Sequence, residues 1–330
     1  MKRFIIHILL LIGIPLGLLI GTYVLLDPYR IVFPYSVSYF NEKPLAKTNR
    51  EYLSIKQFEN NCQTRIYDSF IIGSSRTCVF NSYQWQKYLN TDNNPYIFTS
   101  WRENMRGIHQ KILYLDKMGV DIKNVLLVLD CGEQYTFNIS KGDAPLTNHY
   151  YKLSGQTQLG YQMDYFKAFA SKPSKWFTYV QDAKVKNKTI VFDTITNDSH
   201  LGNDTISMCP LSNMTIDRTN WEIRTLEDML PPLINLEMEN LLKEIQQIFM
   251  KHDTDCKIII CPNYFRWKIN SQDFTNLSYI FGEDNIFDYS GEHPIASEDY
   301  HYNDVEHFNS NVAWRIIEDL YNNKNNESLP

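Results

Sequence analysis

The sequence predicts a three-layer α/β fold, a parallel sheet covered by helices on both faces, behind an N-terminal transmembrane helix. Three observations carry this expectation. Short, wholly apolar runs of strand length recur along the chain, the clearest at residues 124–129. Most are followed by a helical pattern, the alternation that produces parallel strands with crossover helices. At the amino end, residues 4–26 form an apolar run interrupted only by His7, Pro15, Thr22 and a few glycines.

That first run sets the topology. At 1.5 Å per residue it matches the hydrocarbon thickness of a bilayer, and no Ala-x-Ala cleavage pattern follows it. Residues 1–27 are therefore expected to be an uncleaved anchor. Lys2 and Arg3 lie before the run and only Arg30 lies close behind it. The positive-inside bias then places the amino terminus in the cytosol and the main domain outside. Residues 28–65 are polar with scattered aromatics and read as a connecting neck.

The domain proper is expected over residues 66–330. Its strands are predicted at 69–72, 96–98, 124–129, 257–260 and, more weakly, 285–288. A helix over 103–118 would bury Met105, Ile108, Ile112 and Leu115 on one face. Another over 232–252 carries Leu236, Leu241, Leu242, Ile245, Ile248 and Phe249, and a last one over 309–321 carries Val312, Ile316, Ile317 and Leu320. Residues 135–225 lose this rhythm, are rich in Asn, Asp, Thr, Lys and Tyr, and read as an insertion able to cover a site.

Composition narrows the function classes. The chain has 330 residues and a formal net charge of −6, with no basic stripe, so nucleic acid is not an expected partner. Six cysteines fit an oxidising compartment. Cys256 and Cys261 bracket a strand whose five steps span about 16 Å, too far for a mutual disulfide. Seven Asn-x-Ser/Thr triplets, among them those at Asn187 and Asn203, are potential glycan acceptors, although so many asparagines produce several by chance. The 22 tyrosines suit an amphipathic ligand as well as a core.

Two motifs carry chemistry. The first strand runs into Gly73-Ser74-Ser75-Arg76. A glycine and a small hydroxyl residue at a strand-to-helix turn lift a nucleophile into solvent. The second serine falls at the start of the helix, which makes Ser75 the candidate rather than Ser74. The same residues also suit an ordinary turn and cap. Near the other end, Asp304-Val305-Glu306-His307 precedes the last helix. Its aspartate can orient the imidazole that takes the serine proton, or can simply cap the helix. In a parallel sheet both motifs lie beyond carboxyl ends of strands, where such folds bind ligands. His301, Asp304 and His307 lack the His-Glu-x-x-His spacing of a helical zinc site, so no metal is expected.

These two blocks resemble the first and last motifs of the SGNH hydrolase superfamily, the GDSL-like esterases and acyltransferases. A Gly-Ser-Ser turn and a single anchor look most like the membrane-anchored proteins of envelope-polymer modification. The resemblance covers about residues 66–320. It implies a flavodoxin-like sheet, with Ser75 as nucleophile, His307 as base and Asp304 as its orienting carboxylate. It also implies an oxyanion hole built from the Ser75 N–H and a glycine N–H after the second strand, for which Gly107 is the nearest match. Gly107 suits helix packing equally.

The third block departs from the family. Where the family carries an asparagine after the third strand, this chain reads Asp130-Cys131-Gly132-Glu133. Asn138, another N–H or Arg76 would have to supply the missing donor. Arg76 is also a candidate for holding an anionic substrate, or for an ion pair with Asp68 or Asp130. The expected function is thus serine-dependent acyl transfer or ester hydrolysis on an exported or cell-envelope polysaccharide. It needs no cofactor and is served by a multi-spanning acyl-transfer protein in the membrane. The alternative is a catalytically silent scaffold that binds polymer.

Overall fold

A computed structural model describes residues 2–36, 49–132, 149–175, 190–201 and 228–326. The sheet has five strands: β1 (Ser69–Gly73), β2 (Pro95–Thr99), β3 (Asn124–Leu129), β4 (Asp255–Ile260) and β5 (Ile286–Asp288). Their spatial order is β2-β1-β3-β4-β5 and every pairing is parallel. This is the flavodoxin-like order, whose topological switch point falls between β1 and β3.

The apolar runs explain the sheet. Strands buried on both faces need apolar residues in both registers. Phe70 and Ile72 of β1 enter one core and Ile71 enters the other, each fully buried. The first core is covered by helices α2 (Arg50–Asn61), α3 (Met105–Lys117), α5 (Leu236–His252) and α6 (Ser271–Phe281), with α1 (Lys2–Leu26) and α4 (Gln158–Ala170) at its margin. The second is covered by α7 (Ser310–Asn326), which inserts Val312, Ile316, Ile317 and Leu320. Asparagines start five of these helices: Asn49, Asn104, Asn235, Asn270 and Asn309 accept backbone N–H groups of the first turns of α2, α3, α5, α6 and α7.

Two sequence expectations change. From residue 49 the expected neck becomes α2, a helix of the domain with Ile55 and Phe58 fully buried. Its buried Arg50 hid that role. The guanidinium is accepted by Asn197 at 3.0 Å and lies 3.7 Å from the centre of the Phe192 ring. The insertion expected over 135–225 also contains ordered structure. Helix α4, capped by Thr157, buries Tyr161, Tyr165 and Phe169. An antiparallel hairpin, Ile190–Phe192 with Ser199–Leu201, turns through Asn197 at φ 63°. That turn lies along the outer edge of β2, exchanging Ile97 N–H to Thr196 C=O (3.0 Å) and Asn197 Nδ2 to Ile97 C=O (2.6 Å). It closes an otherwise open sheet edge. The remainder of the insertion, including Asn138, Asn187 and Asn203, lies outside the described residues.

Among the described residues no helix is long and apolar enough to cross a membrane, so the fold does not establish the expected transmembrane anchor. Helix α1 runs from Lys2 to Leu26 with Pro15 inside it. Over that run Leu11, Leu18 and Leu25 stand 76%, 68% and 86% exposed. Where α1 meets the domain, Tyr23 is buried against Phe166 and Phe169 of α4.

Candidate active site

The carboxyl end of β1 is pressed against β3. A Cβ on Gly73 would overlap the Val128 carbonyl oxygen and lie 3.0 Å from Val128 Cβ, so only glycine fits. The chain then turns at Ser74 and enters a short 3-10 helix, Ser75–Val79. Thr77 fixes this turn. Its hydroxyl donates to the Ser74 carbonyl (2.8 Å) and meets the Thr99 hydroxyl at the end of β2 (2.7 Å). Ser75 is left partly exposed at the start of the helix.

The second motif forms a tight turn beyond β5. A bridge between Tyr302 and Phe308 closes it, and Asn303 N–H donates to the His307 carbonyl at 2.8 Å. Inside the turn, Asp304 Oδ1 accepts the backbone N–H groups of Glu306 (2.8 Å) and His307 (2.9 Å). The same carboxylate lies 2.8 and 2.9 Å from His307 Nδ1. Burial works to raise the Asp304 pKa, but the His307 ring and the two backbone donors outweigh it and hold the carboxyl below its usual value. Asp304 does not cap α7. That role belongs to Asn309, whose side chain accepts the N–H groups of Asn311 and Val312.

The two motifs meet. Ser75 Oγ lies 2.8 Å from His307 Nε2, and the histidine is almost wholly buried. With Nδ1–H assigned as the donor to Asp304, Nε2 has its lone pair directed at the serine hydroxyl. A hydroxyl, an imidazole and a carboxylate in sequence at hydrogen-bond distance can move a proton off the serine as it attacks an electrophile.

Other expected residues take different places. The Gly107 N–H is bound by Asn104 Oδ1 (3.0 Å) inside the first turn of α3, so Gly107 is not an open oxyanion donor. Its lack of a side chain serves packing, since a Cβ would sit 2.9 Å from the Glu103 carboxyl carbon. Arg76 is likewise engaged. Its guanidinium is paired with Asp130 just beyond β3, and its Nε donates to the Glu306 carbonyl (2.9 Å). Burial opposes the Arg76 charge, but Asp130 more than compensates and holds the group above its usual pKa. Of the roles expected for Arg76, the ion pair with Asp130 is the one the structure shows. His301 is turned away from the triad: its Nδ1 accepts the Glu298 N–H and its Nε2 faces Arg315.

The sequence reading missed one further cluster. Glu51, Glu103 and His149 bring ligand atoms within 4.8 Å of one another, a grouping suited to a cation. Lys111 occupies that role. Its ammonium pairs with Glu103 and lies 3.7 Å from Glu51. Burial pulls the Lys111 pKa down to about 8, partly offset by Glu51. Glu51 is held well below the carboxylate range, because Lys111 and His149 together outweigh the burial that would raise it. A Lys and three acid–base partners scattered from residue 51 to 149 leave no local pattern to read.

No protein-family model matches this chain and no curated protein matches it, so the assignment of function rests on the geometry.

Proposed function

We propose that the chain is an SGNH-like serine acyltransferase or esterase acting on an exported or envelope polysaccharide. The observation that carries this reading is the continuous Ser75–His307–Asp304 hydrogen-bond path at the carboxyl edge of the sheet. Ser75 Oγ would attack the carbonyl carbon of an acyl donor while His307 Nε2 takes the hydroxyl proton. The Ser75 N–H, among the first of its helix and so lacking an intrahelical acceptor, is the candidate donor to the resulting oxyanion. Collapse breaks the bond to the leaving group, which receives the proton from His307, and leaves an acyl-Ser75 ester. A sugar hydroxyl or water, deprotonated by His307, then attacks that ester; its oxygen bonds to the acyl carbon, the bond to Ser75 Oγ breaks, and His307 returns the proton to the serine. Asp304 holds the ring in the required tautomer throughout.

A polymer acceptor and a membrane partner are supported by α1, whose exposed leucines suit a lipid surroundings and would tether the site at the membrane face. A catalytically silent polymer-binding scaffold is the second reading. It is favoured by the segment Asp130-Cys131-Gly132-Glu133 after β3, which carries no asparagine to serve as the family's amide donor. Hydrolysis of p-nitrophenyl acetate by the full chain, compared with Ser75→Ala, separates the two. Turnover lost in the variant supports the enzyme, and equal rates support the scaffold.

A further inference from the structure

The residue after the candidate nucleophile is bonded to the residue before the candidate base. Arg76 Nε donates to the carbonyl of Glu306, 230 positions away, while the same guanidinium pairs with Asp130. Asp130 also accepts the Ser74 hydroxyl through Oδ2 at 3.3 Å. One carboxylate at the end of β3 therefore ties down residues on both sides of Ser75, and one guanidinium extends that tie to the His307 turn. Both side chains are mostly enclosed, at 14% and 16% exposure, which shields the pair from solvent competition. The Glu306 contact uses a backbone carbonyl, so it fixes the path of the chain and not a mobile side chain.

We propose that Arg76 and Asp130 are positioning residues that set the separation of the Ser75 hydroxyl from the His307 ring; this rests on the acyl-transfer reading above. The clamp spans the topological switch point, joining the loops after β1, β3 and β5. A planar guanidinium can satisfy Asp130 and the Glu306 carbonyl together, whereas an ammonium is a single point donor. Displacement of a reacting group by about 1 Å costs on the order of a hundredfold in rate.

The test is the rate at which a fluorophosphonate probe modifies Ser75 in the full chain, mapped by mass spectrometry. In that reaction an Oγ–P bond forms, fluoride leaves and the hydroxyl proton passes to His307. Arg76→Ala, Arg76→Lys and Asp130→Asn are compared with wild type, with circular dichroism as the check on folding and Arg106→Ala as a surface-arginine control. The inference expects modification slowed about a hundredfold in all three clamp variants. It expects added guanidinium to restore the Arg76→Ala rate, and the control to match wild type. If Arg76→Ala fails to fold, Arg76→Lys decides, because it keeps a charge beside Asp130. Wild-type rates in the folded clamp variants, or slowing that guanidinium does not relieve in folded Arg76→Ala, overturn the inference and leave the triad standing. A wild-type protein that is not modified at Ser75 overturns the acyl-transfer reading and the clamp with it.

Discussion

Ser75 Oγ and His307 Nε2 lie 2.8 Å apart although 232 positions separate them in sequence. Neither belongs to the other's local structure. Each is delivered by a turn beyond a different strand of one parallel sheet, and the sheet's register brings the two turns together. Groups coupled in this way act as a unit, so removing either member should remove the function of both. Ser75→Ala and His307→Ala are each expected to lose turnover of an activated ester, with far-ultraviolet circular dichroism unchanged. Activity in either variant equal to wild type would reassign that residue.

Asp304 has two roles, shaping the turn with its backbone acceptances and orienting the ring. Asp304→Asn can keep much of the turn but loses the charge that holds the imidazole. Turnover should fall by up to roughly ten-thousandfold. An unchanged rate would leave Asp304 with the turn alone.

The same carboxylate makes a pH prediction for stability. Its folded pKa is depressed relative to the unfolded chain. Between the two values the unfolded state binds more protons, so stability rises with pH across that window. The contribution is complete above the unfolded value of about 4 and is lost as pH falls through the folded one. Urea midpoints of wild type and Asp304→Asn should differ at neutral pH and converge in acid. A gap that persists undiminished in acid would remove the charge from the explanation.

Gly73 and Gly107 distinguish site geometry from packing. Gly73→Ala forces a Cβ into the Val128 carbonyl at the base of the nucleophile turn. Overpacking of this kind costs about 1–3 kcal/mol, and here it also displaces Ser75. Gly107→Ala crowds the Glu103 side chain at the start of α3. It should lower the melting temperature while the rate per folded molecule stays at the wild-type value. A specific rate lost in Gly107→Ala with the melting temperature unchanged would return Gly107 to the oxyanion hole.

Much of the sheet was legible because burial on both faces demands unbroken apolar runs, and β1, β3 and β4 have them. The nucleophile turn was legible for a local reason, since Gly73 and the serines are what the close approach to Val128 permits. Helix α2 was not, because its inward face carries Arg50, Glu51 and Gln57, whose partners come from residues 149–197. Helix α4 was obscured by tyrosines on its buried face. The fate of Arg76 was open for the same reason. A guanidinium beside a serine reads equally as a ligand group or as an ion-pair partner until Asp130 and the Glu306 carbonyl are placed around it.

The central claim is tested most directly by trapping the covalent intermediate. The full chain is mixed with p-nitrophenyl acetate, quenched in acid within the first turnover and digested for mass spectrometry. The account predicts one acetyl group on the peptide containing Ser75, absent from Ser75→Ala and from His307→Ala. Acetylation that appears elsewhere and never on Ser75, or that persists on that peptide in Ser75→Ala, would contradict it.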